Sequence, residues 1–393
     1  MNAGKKTLAT TLNKYHTTTT SNTASFDVIS TNIAECIEER EAKGRFWLNT
    51  GMPTKHPYIF AYGNNKVVAC SGIGNVAYVS SNYGRTWNMS KTFTQPSTVP
   101  NFFSLCFGKG RFIATTSTGL VYYSTDGLTW NKISDITSSD VKFLNNAFFA
   151  VHYSTKNLWY STSGTTGSWK DTGVQVNPSG QFNNFALFNN KFHVTDPSGV
   201  VYVAPDLATW TKAPINYGSS SSLCYTFAQS DTMLIGAGFG YYAYTTDGNT
   251  WTTATPPLAY CCGLWYYNDI WLGVFSNSAM NSTSGAKSLY YSTDGITWTL
   301  CTSSADLLTD FTSSTGYNCS LSYCDGVFVA VLGIGIFYSY DGLDWKWGHN
   351  EPGKKKMYMG AVIHAGRRWL CSFATNSWGT EGIGVYRSEH FVG

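Results

Sequence analysis

A phrase ending in tryptophan recurs along this chain and constrains its fold more than any other feature. It reads VYYSTDGLTW at Val121–Trp130, YYAYTTDGNTW at Tyr241–Trp251, LYYSTDGITW at Leu289–Trp298 and IFYSYDGLDW at Ile336–Trp345. The closing tryptophans, with weaker copies included, are Trp87, Trp130, Trp169, Trp210, Trp251, Trp298 and Trp345, separated by 43, 39, 41, 41, 47 and 47 residues. A fixed period of this size marks a repeat architecture.

A second marker precedes each tryptophan: a tight turn between two apolar runs. Examples are YGNNK (Tyr62–Lys66), FGKGR (Phe107–Arg111), FNNKF (Phe188–Phe192), QSDTM (Gln229–Met233) and CDGVF (Cys324–Phe328). Asn-Asn and Asp-Gly pairs adopt the positive φ angles that two-residue hairpins require. Each unit therefore reads as strand a, tight turn, strand b, loop, strand c, Asp-Gly turn and strand d. Four antiparallel strands in about 42 residues make one blade of a β-propeller. The tight turns count eight units. The last, from Met359, has only strands a, b and c before the chain ends, while GRFWLNTG (Gly44–Gly51) stands alone with Trp47 in step with the period. The expectation is an all-β, eight-bladed propeller over residues 44–393, closed by its N-terminal strand in the last blade. Closure removes the open sheet edges of a linear array.

The phrases resemble the Asp-box family, also called bacterial neuraminidase repeats, with its Ser-x-Asp-x-Gly-x-Thr-Trp pattern. Asn82, Gly84 and Trp87 keep that length, with Asn82 in place of the acid; a variant one residue shorter supplies Asp126, Gly127 and Trp130, Asp247, Gly248 and Trp251, Asp294, Gly295 and Trp298, and Asp341, Gly342 and Trp345. The physical chemistry of the phrase is structural. Its acid accepts hydrogen bonds from the turn, its glycine takes a conformation that a side chain opposes, and its tryptophan buries a large surface. The resemblance places these turns opposite the usual ligand-binding mouth.

The same family includes sialidases, which the resemblance associates with three arginines, a tyrosine nucleophile and six blades. Of the chain's seven arginines, Arg85 and Arg111 fall in turns, Arg367 and Arg368 beside another turn and Arg40 in the helical stretch; the Arg-Ile-Pro-type motif that the resemblance to sialidases implies does not occur, and most aspartates belong to hairpins. No Cys-x-x-Cys or His-x-x-x-His pair is present, so no metal or cofactor is expected. A formal charge of +3 does not call for nucleic acid. No signal peptide or membrane-spanning stretch is evident.

Binding is the expected activity. The longer loops of the last three blades raise one sector. Asn277, Lys287, Lys354, Lys355, Lys356 and Trp378 lie there, offering a stacking ring and cations for a sugar acid or phosphate.

Residues 1–24 are rich in Thr, Ser and Asn, and Phe26, Ile29, Ile33 and Ile37 recur at helical spacing before Lys43. Residues 1–43 thus read as a polar arm and amphipathic helix, an attachment device outside the ring. Charged residues are only 12% and aromatics 16%; with the arm, this resembles virion components of tailed bacteriophages. The expectation is a non-enzymatic virion protein, made in the host cytoplasm. It binds host surface glycan or another virion protein, with self-association left open. A sialidase-like glycan hydrolase and an intracellular assembly-factor propeller are the alternatives.

Overall fold

The computed structural model describes residues 47–50, 52, 57–71, 77–90, 101–176, 185–196, 200–213, 223–277, 287–302, 319–332, 335–349, 359–366, 368–374 and 384–388. The arm and amphipathic stretch at residues 1–43 lie outside them. Among the described residues the structure is all β, with no helix, and its sheets are arranged as a β-propeller.

Unit one is built from Pro57–Gly63, Lys66–Ser71, Ala77–Ser80 and Asn88–Met89, each strand pairing antiparallel with the next. Units two (Phe102–Gly108 to Asn131–Ile133), three (Ser138–Leu144 to Lys170–Gln175), four (Phe185–Phe188 to Thr211–Lys212) and seven (Ser320–Cys324 to Lys346–His349) repeat that order. Units five (Leu223–Gln229 to Thr252–Thr253) and six (Tyr260–Tyr267 to Thr299–Leu300) merge into one eight-stranded sheet, joined by the single pair Phe239↔Tyr260. In unit eight, Met359–Ala365, Arg368–Ala374 and Gly384–Ser388 are completed by Trp47–Asn49, with Trp47↔Ser388, Leu48↔Arg387 and Asn49↔Tyr386 in register.

Side chains alternate across each strand, so consecutive residues of a second strand enter opposite seams. Phe112 packs with Val68 and Val79 of unit one, whereas Ile113 packs with Phe148 and Trp169 of unit three. Likewise Phe328 faces unit six and Val329 faces unit eight. Both faces being buried, these strands are continuously apolar, as in VFVAVL (Val327–Leu332), which is buried throughout. The same rule joins the chain's two extremes: Val67 of unit one shares a cluster with Ala365 and Leu370 of unit eight, flanked by Phe60, Tyr62 and Ile363.

The a–b turns behave as left-handed pairs. Asn64 and Asn65 have φ of 49° and 55°, and Asn189 and Asn190 have 49° and 58°. Unit five differs from the two-residue pattern. Gln229 pairs with Leu234, leaving a four-residue turn in which the Ser230 hydroxyl accepts from the N–H groups of Thr232 and Met233. The first strands of units one, two, three, five and six all carry a register shift near their start.

Candidate functional site

The recurrent turn is one chemical object built repeatedly. In unit two, Asp126 Oδ1 accepts from the N–H groups of Leu128 and Thr129, each at 2.8 Å, and from the Ser124 hydroxyl at 3.0 Å. Ser124 Oγ in turn accepts from the Gly127 N–H at 2.8 Å. Asp247, Asp294 and Asp341 repeat this network with Thr245, Ser292 and Ser339. Asn82 retains it in part: its Oδ1 accepts from the Thr86 N–H at 2.9 Å, and its Nδ2 donates to the Thr86 hydroxyl at 2.8 Å.

These bonds favour the charged form of each acid. The N–H groups of Asn249 and Thr250 hold Asp247 well below the usual carboxylate range. For Asp294, partial burial works upward, but the Thr297 and Ile296 N–H groups and the Ser292 hydroxyl outweigh it and bring the pKa to about 2. A carboxylate so committed is a turn fastener. It is poorly suited to general acid catalysis, which needs a pKa near the working pH.

The turn also holds the preceding unit. A Cβ on Gly127 (φ 75°) would stand 2.7 Å from Val68 Cγ2 and 2.8 Å from Val79 Cγ2, so this position needs glycine for its dihedral and for close approach. The first strand–strand turn of one unit reads the recurrent turn of the next: Asn64 Nδ2 donates to the Thr125 carbonyl and Lys66 Nζ to the Asp126 carbonyl. Asn189 and Lys191 do the same toward Thr246 and Asn249. Both kinds of turn therefore lie on one end of the molecule.

The glycine carbonyl of the turn is claimed in different ways. Trp130 and Trp345 donate their indole N–H to Gly127 and Gly342 of their own turns, each at 2.9 Å. Gly248 instead accepts from His193 Nε2 at 3.0 Å, across the seam from unit four. His193 is fully buried and stands where other second strands place Val68, Ile113 or Ile235. Nothing in the repeated phrase signals this histidine, because its partner is a backbone carbonyl in another unit. The Asn-Asn-Lys triplets at 64–66 and 189–191 were a readable signal of the seam contact; their recurrence was visible, their target was not.

At the opposite end the structure describes less. Trp378, Lys354, Lys355 and Lys356 lie outside the described residues. Asn277 is exposed directly after the strand Ile270–Ser276, and Lys287 opens the next strand paired with Ser276. The fold thus brings Asn277 and Lys287 together at the base of one loop. On the inner wall, Lys142 Nζ donates to the Phe185 carbonyl of the next unit at 3.0 Å. Burial lowers its pKa to about 8, with nearby Asp140 opposing the shift. Among the described residues no group of three His, Cys, Asp or Glu is placed to hold a metal ion.

No family model matches the sequence, and no curated protein matches it. Solved structures do. The chain is similar to Sqt1 of Saccharomyces cerevisiae, 11% identical with a TM-score of 0.57, over 86% of this chain and 97% of that one. It is similar to BamB of Moraxella catarrhalis, 10% identical with a TM-score of 0.55, over 87% and 98% of the two chains. The likeness is one of fold: a β-propeller. YCF48 of Cyanidioschyzon merolae, 15% identical with a TM-score of 0.47 over 88% and 98%, is a weaker match.

Proposed function

We propose that this chain is a closed eight-bladed propeller of the Asp-box kind that serves as a non-enzymatic adhesion or structural component of a virion. Closure is supported by the pairing of Trp47–Asn49 with Gly384–Ser388. It is also supported by hydrophobic clusters at each successive seam, including the one that joins Val67 to Leu370. The eightfold count treats the merged sheet as two blades joined at Phe239↔Tyr260.

One observation carries the non-catalytic reading: Asp126, Asp247, Asp294 and Asp341 each hold a turn through Oδ1. The repeated phrase is scaffold, which leaves recognition to the opposite end. There Asn277, Lys287, Lys354, Lys355, Lys356 and Trp378 are the residues proposed to take host glycan, with residues 1–43 attaching the propeller to other virion proteins. The virion assignment rests on composition and on the polar arm.

Mass spectrometry of purified virus particles from the source culture tests the assignment, and absence from every particle would remove it. A bacterial-surface glycan array tests recognition, with Trp378→Ala expected to lower retention at least tenfold. Release of reducing sugar from a bound polysaccharide would overturn the non-catalytic reading.

A further inference from the structure

A cation recurs at one position of the second strand. Lys66, Arg111 and Lys191 open their strands and pair with Gly63, Gly108 and Phe188 at the a–b turn. Lys66 Nζ donates to the Asp126 carbonyl of the next unit, and Lys191 Nζ donates to Asn249, two residues past Asp247. Those two cations therefore stand beside a turn that holds a carboxylate. The fold does not require them: Asp206, Asp294 and Asp341 fasten their turns with Ala147, Leu234 and Ile270 at the same position of the preceding unit.

Arg111 faces a turn that lacks the acid. It shares a strand face with Ile113, and a Cβ on Gly164 of unit three would stand 2.7 Å from Ile113 Cδ1. Arg111 Cζ lies 5.8 Å from the centre of the Tyr123 ring, which packs in the same seam. The turn of unit three opens Ser161-Thr162-Ser163-Gly164, so Ser163 takes the acid's place in Ser124-Thr125-Asp126-Gly127. The Ser161 hydroxyl still accepts from the Gly164 N–H at 2.7 Å, while the Ser163 hydroxyl pairs with that of Thr165 at 2.8 Å. The Thr166 N–H, whose counterpart on Thr129 donates to Asp126, donates to no group among the described residues. Arg111 likewise makes no ion pair among the described residues, and its Nε is enclosed without an acceptor. The carboxylate of Asp135 is committed to the later part of the turn, where it accepts from the Gly167 N–H at 2.7 Å. An enclosed cationic donor without an acceptor is costly to keep, and an oxyanion removes that cost.

We propose that Arg111 and the recurrent turn of unit three form a binding site for one oxyanion, a carboxylate or phosphate group, standing where other turns carry their own aspartate. The planar guanidinium suits both groups, and the exposed turn N–H adds a second donor. The bound group joins units two and three across their seam. Free phosphate and an acidic side chain of a partner share this chemistry. The site lies at the turn-bearing end, opposite the residues proposed to take glycan, and it stands independently of the virion reading.

Titration of the full-length protein with sodium phosphate, sodium acetate and sodium chloride at matched ionic strength, followed at the arginine Nε–Hε resonances, tests the site. The Arg111 signal, identified by its absence from Arg111→Lys, should move saturably with phosphate or acetate and stay in place with chloride. A response to phosphate alone assigns a phosphate group, and a response to acetate assigns a carboxylate. Ser163→Asp supplies the carboxylate within the chain. Its Arg111 signal should start displaced, and the anion response should fall at least about tenfold, because the fixed carboxylate claims the guanidinium. Ser163→Asn, similar in size but uncharged, should keep the response. An Arg111 signal unmoved by either anion, moved equally by chloride, or still fully responsive in Ser163→Asp would overturn the proposal.

Discussion

The Tyr242 hydroxyl donates to the Gly295 carbonyl at 2.6 Å and accepts from the Trp298 indole N–H at 2.9 Å. One phenol thus links unit five to both ends of the recurrent turn in unit six, and it is almost completely buried. Tyr242→Phe leaves a buried carbonyl and a partly buried indole N–H unpaired. The expected loss is about 1–3 kcal/mol. Urea unfolding should show a lower midpoint with an unchanged slope.

Glycine substitutions separate backbone strain from seam packing. Gly127 (φ 75°) meets Val68 and Val79, whereas Gly167 (φ 78°) has nothing within 4 Å of a Cβ. Gly167→Ala should cost about 1–2 kcal/mol, the left-handed penalty alone. Gly127→Ala should cost about 1–3 kcal/mol more, because the added methyl overpacks the seam. Equal losses in thermal unfolding would mean that the turn does not press on its neighbour.

Acid should loosen the turns. The folded-state pKa of Asp294 is depressed to about 2, so its stabilising effect is present above the unfolded value of about 4. That contribution is lost as pH falls from about 4 toward 2. Asp294→Asn, which mimics Asn82, should lower stability at pH 7 and flatten its pH dependence in that window. Melting temperatures recorded from pH 7 to pH 2 check the sign.

His193 predicts a second, milder window. Burial disfavours the imidazolium, and the Gly248 and Lys191 carbonyls only partly offset this, so the folded-state pKa lies below the ordinary value of 6.5. The folded state then binds fewer protons than the unfolded one just below that value, and stability declines with acidification there. His193→Val removes the bond to Gly248, which should cost about 1 kcal/mol at pH 7.5. The stability difference between variant and parent should narrow as pH falls from 7 to 5. A constant difference would show that the imidazole does not titrate on unfolding.

Leu48→Pro tests closure. Proline cannot donate a ladder bond in the strand paired with Arg387. The expected loss is about 1–3 kcal/mol, with hydrogen exchange rising in Gly384–Ser388 and in the Val67–Leu370 seam. Exchange rising only in residues 47–49 would mean that the first strand is an ornament on an otherwise stable array.

The sequence alone determined the strand order, the hairpin positions and the chemistry of the recurrent turn. Each of these is local: a hydroxyl, an acid and a glycine within four residues contain their own hydrogen-bond partners. It also marked Trp47 as the missing member of the last unit, because a period extrapolates. Only the tertiary structure decided what the turns press against. The partner of Gly127 is Val68, of Gly248 is His193, and of Gly295 is Tyr242, each more than fifty residues away and in a different unit. Such contacts depend on how twisted sheets stack side by side, and no short-range pattern records that stacking.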